Sequence, residues 1–296
     1  MVQKHPWQGY FYFVPIAFFI VLIYLYPLGH AIGLSFFNKI LTKPAADRFV
    51  GLQNFIRLFT EEPLLLKCLW NGLVFTVLSV VFEYLCGLVV ALLLNSRFAK
   101  MQNVSKALLM LPWAVPIAIN SIIWRLFILT PNTGLMSQGL SALGIQAIRD
   151  VNLLGSLNTA MGTVIAINVW RSFPFYSITL SAGLSSIPRE LYEAAEVDGA
   201  SAWQRFLAVT LPGIRDTSVV IIVFHIIWTF SNFDVIYLLT AGGPLNVTEV
   251  LPTLLYRQAF SSFNMGYASA MGVLMFMIMM IAAGPLYSHF VMRNEQ

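Results

Sequence analysis

Ionisable and amide side chains interrupt several long apolar runs of this 296-residue sequence: Glu83, Asn120, Arg125, Asn168, Arg171, His225, Asn232 and Asp234. A polar group is costly in a hydrocarbon environment, so each one is a candidate either for a solute pathway or for a hydrogen bond between helices. Four residues recur at helical spacing and therefore share one side of a predicted helix: Asn168, Arg171, Ser172 and Phe175. Pro174 should kink that helix and free backbone groups beside them.

Both interpretations stay open for Arg171 and His225, whose side chains suit an interhelical hydrogen bond as well as a ligand. Glu83 and Asp234 are interpreted as packing or gating partners rather than ligands. Amides and hydroxyls can both donate and accept, so the set predicts contact with a solute rich in hydrogen-bonding groups.

No motif in the sequence predicts enzyme chemistry. The phosphate-binding pattern G-x-x-x-x-G-K-[ST], the nucleophile pattern G-x-S-x-G and the zinc pattern H-E-x-x-H do not occur. Cys68 and Cys86 lack metal-ligand spacing and are interpreted as packing residues. The sequence therefore predicts no catalytic residue and no metal site, and it assigns any use of ATP to another polypeptide.

The composition predicts the elements that hold these polar residues. Hydrophobic residues make up 58% of the chain and charged residues only 10%, whereas soluble domains are about 25% charged. The mean hydropathy of +0.76 and apolar runs of about 20 residues predict a multi-pass membrane protein and exclude an ordinary soluble globule. The formal charge of +4 is spread thinly, so nucleic acid is not an expected partner.

Six apolar stretches predict an all-α fold with six transmembrane helices in one membrane domain, 1–296. They cover about 10–36, 69–94, 107–129, 156–184, 217–239 and 266–290. An even number of spans places both termini on one side, but Lys and Arg are nearly equal on the two sides, so charge alone leaves the orientation open. The first loop, 38–67, carries apolar residues at amphipathic spacing and lies along the membrane surface or packs on other loops: Phe49, Phe55, Ile56 and Phe59.

The fourth loop, 185–216, is too long for a simple turn and contains strong helix signals. Pro188 suits a first helical turn, Gly199 can adopt the left-handed conformation that ends a helix, and Ser201 can cap the next one. The loop therefore predicts two short helices joined at Gly199. The first has a small apolar face, which either docks on a partner or packs on its own bundle.

This loop resembles the cytoplasmic signature of permease subunits of ATP-binding-cassette (ABC) importers. The resemblance rests on Glu193-Ala194-Ala195, Gly199 and Val209-Thr210-Leu211-Pro212, with Val where Ile is usual. Asp198-Gly199-Ala200 is similar to the maltose-type carbohydrate branch, as are three further segments: FVGLQNF at 49–55, LPWAVP at 111–116 and LTAGGP at 239–244. The chain lacks the extra N-terminal spans and the large periplasmic insert of the larger maltose-importer subunit.

The resemblance implies the type I importer fold, in which 185–216 is a cytoplasmic coupling loop seated in a groove of an ATPase. The coupling residues would be Glu193, Ala194, Ala195, Asp198, Gly199, Ala200, Leu211 and Pro212. It further implies a bacterial inner (cytoplasmic) membrane location, with both termini cytoplasmic. The implied partners are a second homologous permease, two ATPase subunits that hold ATP and Mg, an extracytoplasmic solute-binding protein, membrane lipid and a carbohydrate substrate.

The resemblance also implies which residues line the sugar site: Asn168, Arg171, Ser172, Phe175, His225, Thr229 and Asn232. Trp170, Phe175 or Trp228 could stack on a pyranose ring, and Arg171 could meet an anionic sugar. Two other functions remain as alternatives. One is an ABC importer for a non-sugar solute, and the other is an ion-coupled secondary transporter in which Glu83 or Asp234 carries protons.

Overall fold

The computed structural model describes residues 7–95, 102–128, 134–143 and 152–291. The predicted side of the chain termini, residues 96–101 of the second loop and part of the third loop lie outside these ranges. The described chain is mostly helical, as the sequence predicts. In chain order the helices are α1 (Trp7–Ile20), α2 (Tyr26–Ser35), α3 (Gln53–Thr60), α4 (Leu65–Leu94), α5 (Gln102–Leu109), α6 (Leu111–Ala114), α7 (Ile117–Ile128), α8 (Leu135–Ala142), α9 (Ala160–Ser185), α10 (Arg189–Val197), α11 (Ala202–Arg205), α12 (Leu211–Gly213), α13 (Arg215–Phe230), α14 (Asp234–Thr240), α15 (Leu251–Tyr256) and α16 (Met265–Val291).

Three short π-helical segments connect some of these helices: Val21–Leu25, Phe206–Thr210 and Arg257–Ser261. A 3-10 turn, Pro44–Ala46, lies between the two strands of the described chain. The strands β1 (Phe37–Asn38) and β2 (Arg48–Phe49) form one antiparallel pair, with Phe37 opposite Phe49. This two-residue pair is the small departure from the predicted all-α fold within the described ranges.

Three described helical segments are both long and apolar enough to cross a bilayer: Phe13–Ser35, Leu65–Leu94 and Met265–Ala282. A fourth candidate is the bent pair Ala202–Gly213 and Arg215–Phe230, whose halves meet at 63°. At 26 residues, α9 is also long enough to span, since a helix rises 1.5 Å per residue.

The structure interrupts the helix within two predicted spans. In 107–129, α6 ends at Ala114 because Pro116 keeps Val115 extended, and α7 begins at Ile117. In 217–239, α13 ends at Phe230 and α14 begins at Asp234. Asn232 Oδ1 accepts a hydrogen bond from the Val235 N–H at 3.2 Å, which satisfies one backbone donor of the new helix.

The chain divides into two compact units, which are described separately. Unit 1 comprises 1–65 and 254–278, and unit 2 comprises 66–253 and 279–296. In unit 1, the β1–β2 pair joins the end of α2 to α3. The Gly266 N–H donates to the Lys39 carbonyl at 3.2 Å, which connects β1 to the first turn of α16.

Unit 2 contains the predicted polar residues and two apolar clusters. One cluster joins residues of α4, α7, α9 and α14 around Phe75, and the other joins α4, α9 and α13 around Tyr176. The helices α4 and α9 approach closely at Gly87, where an added Cβ would lie 2.4 Å from Tyr176 Cβ. Glycine at this position therefore sets the distance at which the polar side chains of the two helices meet.

Candidate functional site

The predicted substrate residues all lie in unit 2, on α9, on α13 or just after it: Asn168, Arg171, Ser172, Phe175, His225, Thr229 and Asn232. Five of them are buried, and Arg171 and Phe175 are half-buried. Thr229 lies one helical turn after His225 on α13. The structure thus brings two sequence segments more than 40 residues apart into one polar layer.

Glu83 is the centre of this polar layer. Its side chain is completely buried on α4. Asn168 Nδ2 donates to Glu83 Oε1 at 2.9 Å, and His225 Nδ1 lies 3.0 Å from Glu83 Oε2. One carboxylate therefore connects α4 to both α9 and α13.

Asn232 extends the layer beyond the end of α13. Its Nδ2 donates to Asn168 Oδ1 at 3.5 Å, a long bond, while its Oδ1 accepts from the Val235 N–H. Each functional group of Asn168 and Asn232 thus contacts protein rather than an open cavity. The interhelical hydrogen bond that the sequence allowed for His225 is present, with Glu83 as the partner.

Arg171 is the half-buried cation of the layer. Its Nε is buried and has no hydrogen-bond partner within the described residues. The guanidinium therefore retains a donor that a rearranged helix or a ligand could use.

An aromatic wall flanks the polar layer. Phe175 is stacked on Trp113 of α6, with centroids 5.5 Å apart and planes 24° apart. It also lies 5.7 Å from the His225 ring. The other two predicted stacking residues contact aromatic neighbours as well, with Trp170 edge-on to Trp124 at 5.1 Å and Trp228 tilted against Phe224 at 5.7 Å.

The sequence did not assign Glu83 or Trp113 to the site. The signal for Glu83 was a lone acid within an apolar run of 30 residues, but its partners lie 85 and 142 positions away. Trp113 was noted only as part of the segment LPWAVP, which resembles the maltose-type branch, and not as a site residue. Within the described residues, no group of three or more His, Cys, Asp or Glu side chains could hold a metal ion.

The fourth loop forms a second candidate site, at the end of α9. The structure confirms the two short helices, α10 and α11. Gly199 lies between them in the left-handed region at φ +76°, and the Ala200 N–H donates to the Ala195 carbonyl at 2.9 Å. The Ser201 hydroxyl accepts from the Gln204 N–H, and the Gln204 side chain accepts from the Ser201 N–H, which completes a capping box on α11.

Large apolar side chains of this loop are exposed among charged ones. Val197 is 87% exposed, Trp203 66% and Leu191 52%. Most predicted coupling residues are also exposed, namely Glu193, Ala194, Asp198, Gly199, Leu211 and Pro212, whereas Ala195 and Ala200 are half-buried. Large apolar side chains in water mark an interaction surface.

The two halves of the loop are bonded to each other. The Tyr192 hydroxyl lies 3.1 Å from Thr210 Oγ1, and Arg205 forms a 3.1 Å ion pair with Glu196. Asn95, at the end of α4, donates to Ser181 Oγ at 2.8 Å, which joins α4 to the last turns of α9. The Ser185 hydroxyl, at the end of α9, donates to Asn95 Oδ1 at 3.0 Å, so the start of the loop is hydrogen-bonded to the end of α4.

Comparison with known proteins identifies relatives of the whole chain. Residues 83–295 match the family described as binding-protein-dependent transport system inner membrane component. The sulfoquinovosyl glycerol transport system permease protein SmoG of Agrobacterium fabrum is 34% identical over 266 residues, which cover 90% of this chain and 84% of that protein. The trehalose/maltose transport system permease protein MalF of Thermococcus litoralis is 33% identical and covers 92% and 90%.

Solved structures show the same fold. A chain in the crystal structure of a bacterial alginate ABC transporter, in complex with an alginate pentasaccharide-bound periplasmic protein, is 26% identical with a TM-score of 0.80. The match covers 95% of this chain and 92% of that one. A chain of a bacterial ABC transporter involved in the import of alginate, 24% identical, gives a TM-score of 0.81 over 96% of this chain and 95% of that one.

Proposed function

This chain belongs to the family of binding-protein-dependent transport system inner membrane components, and we propose that it is the permease subunit of an ATP-driven carbohydrate importer. Members of this family are transporter permeases of the inner membrane rather than enzymes. The importer would pass a mono- or oligosaccharide from an extracytoplasmic binding protein into the cytoplasm. The exposed helix α10, ended by the left-handed Gly199, is the observation that carries this proposal, since a short, well-defined helix on the surface after α9 suits docking on an ATPase.

The relatives support a carbohydrate as the substrate, because their names include sulfoquinovosyl glycerol, trehalose/maltose and arabinooligosaccharides. The polar layer and aromatic wall of unit 2 supply groups that suit a sugar, with amides and hydroxyls beside exposed ring faces. In this proposal, movement of α9 and α13 opens the layer and releases Asn168, His225 and Asn232 to a sugar.

The proposed assembly contains a second homologous permease, two ATPase subunits and an extracytoplasmic binding protein. ATP and Mg would bind to the ATPase subunits, because this sequence has no phosphate-binding motif of its own. The chain would cross the inner membrane six times with both termini and loop 185–216 in the cytoplasm. Closure of the ATPase pair would then move α10 and, through the Tyr192–Thr210 contact, the segment that leads into α13. The bond between Ser185 and Asn95 would pass the movement to the ends of α9 and α4.

The proposal is tested by ATP hydrolysis in proteoliposomes that hold this chain, its partner permease, the ATPase and the binding protein. A panel of neutral and anionic sugars is added, and we expect one class to stimulate hydrolysis and to accumulate inside. Stimulation by a non-sugar solute alone would favour the first alternative. Uptake by this chain alone, driven by an ion gradient and indifferent to ATP, would contradict the importer proposal.

Replacing Phe175 with alanine should raise the KM for sugar uptake several-fold with a smaller change in the maximal rate. The substitution removes a ring that is half-buried beside the polar layer and stacked on Trp113. Phe175→Tyr keeps the ring and serves as the matched control. An unchanged KM in the alanine variant would remove Phe175 from the predicted substrate residues.

A further inference from the structure

The short helix α3 in the loop that follows α2 has three distinct faces. Asn54 and Leu58 point into unit 1 and are buried. Leu52, Ile56 and Phe59 follow one another at helical spacing on a second side and are 60–61% exposed. The third side is polar and exposed: Gln53, Arg57 and Thr60. If all the free sides of α3 were in water, they would be expected to be polar. The exposed apolar side therefore indicates a contact with something other than water.

The buried face of α3 is tied to the end of a membrane helix. Asn54 Nδ2 donates to the Ser35 carbonyl at 2.8 Å and to the Phe37 carbonyl at 2.9 Å. Ser35 is the last residue of α2, where the apolar segment Phe13–Ser35 ends. These bonds hold α3 at the level at which the chain leaves the bilayer.

A second membrane helix fixes α3 at the same level. The Arg57 guanidinium lies 4.9 Å from the centre of the Tyr267 ring, and the Tyr267 hydroxyl donates to Glu62 Oε2 at 3.1 Å. Tyr267 is in the first turn of α16, where the apolar segment Met265–Ala282 begins. The end of one apolar helix and the start of another thus both contact α3 or the residues directly after it.

We propose that α3 is an interfacial helix whose apolar face lies in the boundary between lipid headgroups and acyl chains. Leu52, Ile56 and Phe59 would enter the lipid, and Phe49 of β2, which is 68% exposed, would extend the same patch. Gln53 and Thr60 would face water. Helices of this kind bury their apolar face by about 5–10 Å, and aromatic residues favour this depth.

A different macromolecule that could cover this face is the proposed soluble binding protein. The membrane is the better match because the apolar face belongs to a helix bound to the bilayer ends of α2 and α16, while a soluble partner approaches from the water side. The inference requires only that the chain is in a membrane, and it does not depend on the identity of the solute.

Spin labels test the proposal in the complete transporter, reconstituted in proteoliposomes without binding protein. Cys68 and Cys86 are first replaced, and single cysteines are introduced by Ile56→Cys, Phe59→Cys and Gln53→Cys. The collision rate of each label with oxygen, which partitions into lipid, is compared with that of a water-soluble nickel chelate. Val81→Cys on α4, at an exposed position within an apolar run, reports membrane insertion independently.

We expect the oxygen-to-nickel ratio at 56 and 59 to exceed that at 53 several-fold and to approach that at 81. Equal, nickel-accessible labels at 53, 56 and 59, together with a lipid signal at 81, would overturn the proposal while leaving the membrane assignment intact. Labels at 56 and 59 that become shielded only when binding protein is added would overturn it in favour of a protein-docking face. If the label at 81 collided mainly with the nickel chelate, α4 would not be in lipid, and the proposal would fail together with the membrane assignment on which it depends.

Discussion

Replacing Glu83 with leucine is expected to abolish sugar uptake and to lower the midpoint of thermal unfolding of the purified transporter. The Glu83 carboxylate is fully buried and contacts Asn168 and His225 on two other helices. Leucine would leave these polar groups buried without their partner, and each such group costs about 1–3 kcal/mol. The loss would also remove the polar connection of α4 to α9 and α13.

Two further variants separate the network from general effects of substitution in α4. Glu83→Gln keeps one acceptor oxygen and should retain part of the uptake. Ser79 lies one turn earlier on the same helix, and its buried hydroxyl has no hydrogen-bond partner within the described residues. Ser79→Ala should therefore leave both uptake and the unfolding midpoint nearly unchanged. A Glu83→Leu variant that behaves like Ser79→Ala would refute the role of the network.

Replacing Gly199 with valine should uncouple ATP hydrolysis from transport while leaving membrane insertion intact. The space around Gly199 is open, with no atom within 4 Å of an added Cβ, so the effect is not a steric clash. It arises from the backbone, because φ is +76° and a left-handed conformation costs an L-residue roughly 1–2 kcal/mol. Relief of that strain would turn α10 away from α11 and its capping box at Ser201.

The measurements are sugar-stimulated ATP hydrolysis, uptake, and co-purification of the ATPase with this chain. Gly199→Asn is the matched control, since asparagine adds a side chain but tolerates the left-handed region. We expect the asparagine variant to couple and the valine variant not to couple. If both variants lose coupling equally, side-chain bulk at the docking surface, rather than backbone conformation, is responsible.

Local signals in the sequence were sufficient for the fourth loop. Pro188, Gly199 and Ser201 each act on backbone groups within about four residues, so the order of these residue types already determines where the two helices begin and end. Long apolar runs likewise determine that the chain is a membrane protein, because hydropathy sums over neighbouring positions. Both predictions need no knowledge of what lies opposite in space.

The tertiary structure alone decided what the polar residues of unit 2 contact. Asn168, His225 and Asn232 had the composition of a sugar site, yet in this structure they bond to Glu83, to one another or to backbone. These partners are brought together by the close approach of α4 and α9 at Gly87, which no local pattern reports.

The sequence was likewise unable to show what α3 contacts. The spacing of Phe55, Ile56 and Phe59 predicted an amphipathic segment. Its neighbours are known only from the structure, in which Asn54 bonds to the end of α2 and Arg57 contacts the ring of Tyr267 at the start of α16. The sequence by itself determined the elements and their caps, which depend on neighbouring residues. Packing decided their partners, because a buried hydrogen bond depends on side chains that are distant in the chain and close in space, as Glu83 and His225 are, 142 positions and 3.0 Å apart.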